Sequence, residues 1–343
     1  MKSPSPAGGQ SSRVSVIIPN LDGEAWLEAC LASLSAQTRK PLEVILVDNA
    51  STDRSLAIVQ DKAPEAIIIR LDRNTGFAHA VNRGAAIAKG DFLLFLNTDT
   101  VVAPACIKIL ENTLAGAPDD IASVMPLMTM LQKPDLVDDA GDVLSWYGYA
   151  QKHGHGEPAA HYHEQAEIFS PCGGAVLYRA GVFSRLEGFD EGFFAYLEDV
   201  DLGLRCRLAG YRHWLQPAAR VQHKGHGSAM PKTRYLALTT RNRMALLIKN
   251  LPARLLYRHL GELLYGQVHF AFSHGNLKAL MSGMALLARD LPSLLRKRRS
   301  VRTTTVLEGS DIEGLLSREH PKPSIRELIS RRLRQFSWKS DPI

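Results

Sequence analysis

The sequence predicts an α/β protein: a doubly wound domain followed by a helical extension. Three observations carry this. Strand, loop and helix alternate four times in the first ~115 residues. Phe92-Leu93-Leu94-Phe95-Leu96 is apolar without alternation, as in a strand covered by helices on both faces. Three strand-like segments also stop in carboxylates or amides, at Asp48/Asn49, Asn74 and Asn97/Asp99. Open parallel sheets bind ligands outside the carboxyl ends of their strands, so this coincidence favours a nucleotide-type ligand.

The elements follow in order. Val14–Ile18 is a β-branched strand stopped by Pro19, and Trp26, Leu27, Cys30, Leu31 and Leu34 then share one helical face. Glu43–Val47 is a second buried strand. After it, Ser51 or Asp53 is placed to cap a helix carrying Leu56, Ile58 and Val59. Ile67–Ile69 is a third strand, and a helix runs from Asn74-Thr75-Gly76-Phe77 to Lys89, ended by Gly90. A helix with Pro104 near its first turn follows the Phe92–Leu96 strand. Residues 121–165 read as less regular, a solvated, glycine-punctuated stretch whose His153, His155, His161 and His163 have no metal-ligand spacing.

Composition bounds the function. A chain of 343 residues and 37.8 kDa has room for one large domain, alone or with an appendage. A formal net charge of +6 suits anionic ligands or lipid headgroups and gives no reason to expect nucleic acid. Cys30, Cys106, Cys172 and Cys206 are scattered with no CxxC pair, and read as reduced, buried thiols of a cytosolic protein. Met1–Ser12 reads as a disordered lead-in, and no run reaches the ~18–20 apolar residues of a membrane span.

Asn97-Thr98-Asp99 alone reads as a turn, since all three residue types favour turns. Its oxygens also suit a hard divalent cation that holds a diphosphate. No Gly-x-Gly-x-x-Gly follows the first strand, where the chain reads Pro19-Asn20-Leu21-Asp22-Gly23-Glu24, and there is no Walker loop. A metal at Asp99 would therefore have to neutralise a diphosphate, and a nucleotidyltransferase is disfavoured. Ser170–Tyr178 reads as a strand entered through Gly173-Gly174, where a ligand can approach the backbone. Glu198, Asp199 and Asp201 then head a helix, with Arg205 four residues beyond Asp201. Phe193, Phe194 and Tyr196 place an apolar wall beside these acids, which favours the raised pKa of a general base. His223 or His226 could complete a metal site.

Five segments together resemble the inverting family-2 glycosyltransferases of GT-A fold, closest in kind to rhamnosyltransferase-like members. They are 14–20 (VSVIIPN), 47–53 (VDNASTD), 74–84 (NTGFAHAVNRG), 96–99 (LNTD) and 194–205 (FAYLEDVDLGLR). The resemblance covers roughly residues 13–230. It implies a GT-A type doubly wound nucleotide-binding domain, to which the sequence beyond residue 231 adds a C-terminal helical extension with membrane association as one of two readings. It implies that Pro19, Asn20, Asp48 and Asn49 surround the base and ribose, and that Asn74, Gly76, Phe77, Asn82 and Asn97 lie along ribose and diphosphate. Asp99, helped by His223, would hold Mg²⁺ or Mn²⁺. Asp199 would be the base with Glu198 beside it, and Gly173, Gly174, Asp201 and Arg205 would serve the donor or acceptor sugar. The family's metal motif is often Asp-x-Asp; here its first acid is Asn97, which leaves fewer carboxylates for the metal.

The implied reaction is inverting transfer of one sugar, L-rhamnose from dTDP-rhamnose first, to a glycan or lipid-linked acceptor of the cell envelope. A UDP-hexose or GDP-mannose donor, or a non-catalytic nucleotide-sugar-binding scaffold, are the alternatives. Helices are predicted at Tyr235–Leu251, Leu255–Phe272 and Leu277–Leu295, then the basic run Arg296–Arg299, and a short helix at Ile325–Phe336. Leu277, Leu280, Met281, Met284, Leu287, Leu291 and Leu294 share one face. Either a helical subdomain packed on the core or peripheral contact with an anionic membrane satisfies this pattern. The organisation expected is a lead-in (1–12), a transferase domain (13–231), a helical extension (232–300) and a polar basic tail (301–343), in the cytoplasm at the inner face of the membrane.

Overall fold

The computed structural model describes residues 12–225 and 230–330. Nearly all of the lead-in and the end of the tail lie outside them, as do His226 and the second half of the Ile325–Phe336 segment.

Four parallel strands come first: β1 (Val14–Asn20), β2 (Glu43–Asp48), β3 (Ile67–Arg70) and β4 (Phe92–Leu96). The helices between them are α1 (Glu24–Ser35), α2 (Ser55–Lys62) and α3 (Phe77–Ala85). β1 lies between β2 and β4, with Asn20 beside Asp48 and Val16 beside Leu94. The unbroken apolar runs now have their cause. Val16, Ile18, Leu94 and Leu96 enter one core with α1 and α2, while Ile17, Leu93 and Phe95 enter another with α3. A strand with both faces buried cannot alternate.

β5 (Thr100–Val102) and α4 (Cys106–Gly116) follow, then β6 (Ile121–Met130), β7 (Lys133–Asp139), β8 (Asp142–Leu144), β9 (Ala150–Lys152) and β10 (Ala166–Ile168). β11 (Ala175–Arg179), α5 (Ala180–Arg185), α6 (Glu198–Leu208) and β12 (Arg212–His223) complete the sheet region. The sheet runs β10-β12-β6-β11-β4-β1-β2-β3, and β11 is antiparallel to both neighbours, so the sheet is mixed. The stretch expected to be irregular contains a ten-residue strand, β6, buried almost throughout. Pro126 hid it, because proline cannot donate to a central ladder. β12 accommodates the proline with a register shift between Gln216 and Arg220, beside Pro126 and Leu127. His153, His155, His161 and His163 do stay exposed.

α7 (Lys232–Asn250), α8 (Ala253–Arg258), α9 (Leu260–His274), α10 (Leu277–Thr304) and α11 (Gly309–Leu315) form the C-terminal helices. They share a third core with Trp146, Phe193, Val200 and Leu204. Gly275, in the left-handed region, ends α9, and Asn276 caps α10 by accepting from the Ala279 N–H at 2.9 Å. The basic run Arg296–Arg299 lies inside α10 rather than after it. Beyond α11 the chain is also tied down: the Ser317 N–H donates to Leu144 O, and the Trp146 N–H to Ser317 O.

Candidate active site

Four strand ends converge on one edge. The Asn20 amide donates to Asp48 Oδ1 at 3.2 Å and to Ser51 Oγ at 2.9 Å, just past Pro19. Its own carbonyl oxygen is buried without a partner. The Asn49 amide donates to Asn74 Oδ1 and to Gly76 O, and Asn49 Oδ1 accepts from the Thr75 N–H at 2.8 Å. Gly76 has φ +91, and a Cβ there would overlap the Phe194 carbonyl, so only glycine fits. Phe77 opens α3 within reach of Gly173.

At the end of β4 the Asn97 N–H donates to Gly174 O at 2.9 Å. Asp99 is buried, and the Lys224 N–H donates to its carbonyl at 3.0 Å. Because β5 pairs with β12 through Thr100 and His223, Asp99 Oδ1 lies 3.3 Å from His223 Nε2. His223 Nδ1 lies 2.8 Å from Asp138 Oδ2. Burial opposes a charge on His223, but the two carboxylates outweigh it and raise its pKa to about 9. Asp99 and, once a cation displaces its Nε2 proton, His223 make a donor pair suited to a divalent cation, with Asp138 behind the imidazole. Among the described residues no third side chain completes a group that could hold an ion by itself, so further ligands would have to come from a bound diphosphate and water.

Asp199 opens α6 and is held at both oxygens. The Gly173 N–H donates to Oδ2 at 2.8 Å, and the Val200 N–H to Oδ1 at 2.8 Å. Burial raises its pKa against these two bonds. Glu198 beside it is pushed well above the ordinary carboxylate range, first by burial and then by the charge of Asp199. Its Oε2 has no hydrogen-bond partner. The backbone leading into α6 is forced: Phe194, Tyr196 and Leu197 have φ of 64°, 71° and 70°. Asn242 of α7 holds it, its amide facing the carbonyls of Phe193, Ala195 and Tyr196 at 3.0, 3.0 and 2.8 Å.

Three of the expected residues have other partners. The Asn82 amide donates to Phe189 O at 2.8 Å and its oxygen accepts from the Phe189 N–H, fastening α3 to the 188–191 turn. Arg205 does pair with Asp201, at 2.9 Å, but both are buried beneath the site. Lys249 Nζ lies 2.6 Å from Asp201 Oδ1 and 2.8 Å from Asp190 Oδ2, and the Asn250 amide donates to Asp201. This pair therefore joins α6 to α7 and does not face a sugar.

The site also contains residues that the sequence alone does not single out. Asp138, Asp139 and Asp142 surround the β7–β8 turn, where Gly141 takes φ +108, and Lys152 of β9 reaches Asp138 at 2.9 Å. Burial lifts Asp139 to about 6 despite the opposing pull of Lys152, with Asp138 and Asp199 adding to the rise. Burial raises Asp142 well above its ordinary value, and the charges of Asp139 and Asp199 add to it. These acids thus adjoin Asp199 electrostatically. The signal was three acids around one glycine in Asp138-Asp139-Ala140-Gly141-Asp142.

Comparison with known proteins agrees with this geometry. Residues 15–130 match the family model described as Glycosyl transferase family 2. An N-acetylglucosaminyl-diphospho-decaprenol L-rhamnosyltransferase of Mycobacterium tuberculosis is 29% identical over 240 residues, 62% of this chain and 76% of the relative. A PGL/p-HBAD biosynthesis glycosyltransferase of Mycobacterium bovis is 32% identical over 203 residues, 56% of this chain and 68% of the relative. The crystal structure of GalNAc-T7 with UDP, GalNAc and Mn²⁺ superposes with a TM-score of 0.58 at 17% identity, over 83% of this chain and 58% of that one. The chain belongs to glycosyl transferase family 2 and has a GT-A-like fold.

Proposed function

We propose that the protein transfers a single L-rhamnose from dTDP-rhamnose to a hydroxyl of a lipid-linked glycan intermediate, with inversion at the anomeric carbon. One observation carries the reading: a continuous path of contacts joins Asp199, the base proposed here, to Asp99 and His223, the metal ligands proposed here. It runs from Asp199 through Gly173-Gly174 to the Asn97 N–H, along the chain to Asp99, and on to His223. A non-catalytic scaffold has no need of both ends.

Residues 13–231 carry the transfer chemistry, and the helices from 232 to 300 brace it. The unpartnered Asn20 oxygen accepts from a base N–H, with Asp48 and Asn49 at base and ribose. Asn74, Gly76 and Phe77 follow the ribose and diphosphate. Asp99 and His223 would hold Mg²⁺ or Mn²⁺, which neutralises charge on the leaving diphosphate. Asp199 takes the proton from the acceptor hydroxyl, whose oxygen attacks the anomeric carbon opposite the nucleotide. Two amide N–H groups fix the carboxylate, so its basicity is directed without loss of position. Asn97 orients the donor, and Gly173-Gly174 lets the sugar approach the backbone. The rhamnosyl donor and lipid-linked N-acetylglucosamine acceptor are supported by the name of the mycobacterial relative, and Mn²⁺ by the GalNAc-T7 structure. Such a reaction belongs in the cytoplasm, at the inner face of the membrane.

The test is transfer from dTDP-rhamnose, UDP-hexoses and GDP-mannose to a polyprenyl diphosphate-linked N-acetylglucosamine, with Mn²⁺ and with chelator. Metal-dependent turnover of dTDP-rhamnose alone is expected, giving a product of anomeric configuration opposite to the donor. Thermal stabilisation by a nucleotide sugar without turnover of any donor would support the scaffold instead.

A further inference from the structure

The outer sides of α9 and α10 form a surface that the transfer site does not use. α9 turns Leu263, Gly266 and Phe270 inward. Leu260, Leu264, Val268 and Phe272 step four residues at a time along the opposite side, 48, 57, 48 and 37% exposed. α10 divides in the same way, and the single apolar face read from its sequence is split. Ala279, Gly283, Leu287, Leu294 and Val301 are buried. A Cβ on Gly283 would sit 2.6 Å from Ala237 O of α7. Leu277, Met281, Met284, Leu291 and Leu295 remain exposed, Leu277 at 70% and Met281 at 62%. A surface helix of a globular protein needs one apolar side; each of these has two.

Charge identifies what covers the second side. Residues 253–304 hold nine Lys or Arg against two acids, a net +7 that exceeds the +6 of the whole chain, so all other residues together sum to −1. Lys278, Arg289 and Arg296 flank the exposed stripe of α10 at helical spacing. A second copy of this chain would bring the same positive charge against itself, whereas an anionic bilayer is complementary. No helix among the described residues is long and apolar enough to cross a membrane, so attachment through α9 and α10 is by contact with its surface.

We propose that the outer sides of α9 and α10 dock on a bilayer containing anionic phospholipid, the apolar stripes in the acyl boundary and the arginines and lysines on the headgroups. This deepens the lipid-linked acceptor reading and rests on it for its purpose, but shares no residue with the transfer site.

Sedimentation of the full chain with phosphatidylcholine vesicles, with and without phosphatidylglycerol, tests it. Wild type is expected to sediment with the anionic vesicles at low salt and to be partly released at high salt. Leu264→Ser/Val268→Ser/Met281→Ser should lower the bound fraction about tenfold or more. Arg289→Gln/Arg296→Gln should weaken binding and flatten its salt dependence. A circular dichroism spectrum and Tm equal to wild type show both variants folded, whatever the donor. Absence of wild-type binding, or variants that bind as wild type, overturns the proposal. So does a lipid-free dimer that the serine variant dissociates. Vesicle binding without donor stabilisation or turnover would leave this inference standing and remove the transfer reading.

Discussion

Asp99 and Asn97 lie two residues apart at the end of β4, yet their partners differ in kind. Asp99 faces the His223 ring, and Asn97 uses its backbone N–H on Gly174. Asp99→Ala is therefore expected to lower kcat/KM on the order of 10²-fold or more, and Asn97→Ala about tenfold, in donor turnover at saturating Mn²⁺. Equal losses would reject this division of labour. Asp199→Asn should lower kcat by about 10²–10⁴-fold and leave donor affinity within about twofold, by calorimetry. The pKa of Asp199 is raised from 3.8, and a base works only when deprotonated. Its acid limb should accordingly fall at a pH above the usual carboxylate range, shared with Glu198 as a pair. A limb at ordinary carboxylate pH would assign the base elsewhere. The places of Asp99 and Asp199 in the fold were legible in the sequence because each stands at the end or start of a strongly patterned element. Asp138 and Asp139 were not, since their meaning comes from His223, 85 residues beyond Asp138, and from Lys152. Asp201 misled for the opposite reason: its local partner Arg205 showed in the spacing, whereas Lys249 and Asn250 did not.

At the level of elements, α7 supports the turn that delivers Asp199. One amide, that of Asn242, faces three carbonyls of a segment whose backbone is otherwise unfavourable. Asn242→Leu removes this donor while the Phe193 carbonyl keeps the Ala195 N–H, and a carbonyl that loses its only partner costs about 1–3 kcal/mol. Two effects are expected together: a lowered Tm, and a kcat lowered about tenfold well below that Tm with KM for donor unchanged. A lowered Tm with intact kcat would mean that Asn242 only stabilises. The sheet strands with helices on both faces were readable from their composition. β6 was not, because Pro126 reads as a strand breaker unless the β12 bulge opposite is known. The C-terminal helices were readable as helical, but the single helix expected at Leu255–Phe272 is divided at His259 into α8 and α9, and inner and outer sides were not separable, since Leu287 and Met284 look alike to a helical pattern.

For the whole molecule, burial of ionisable side chains determines how the fold answers to acid. His213 of β12 is buried between Ser123 Oγ, 2.7 Å from Nδ1, and Gly203 O, and burial pulls its pKa from 6.5 to about 3. The unfolded chain takes up this proton as pH falls below 6.5, and the folded chain does not until about 3. Stability should thus decline through that window, by up to about 1.4 kcal/mol per pH unit from this group. Urea unfolding of wild type and His213→Gln across the window is the measurement. The variant should show the shallower decline, and parallel declines would place the proton uptake elsewhere. The same coupling of distant parts has a consequence during synthesis. Strands and helices through β12 leave the ribosome first and can fold as they emerge, but Asn242 follows them. Until it does, the turn ahead of Asp199 lacks the Asn242 amide and rests on bonds such as Ala78 N–H to Phe194 O, so the sheet can form before that turn is fully braced, which waits until α7 has cleared the exit tunnel.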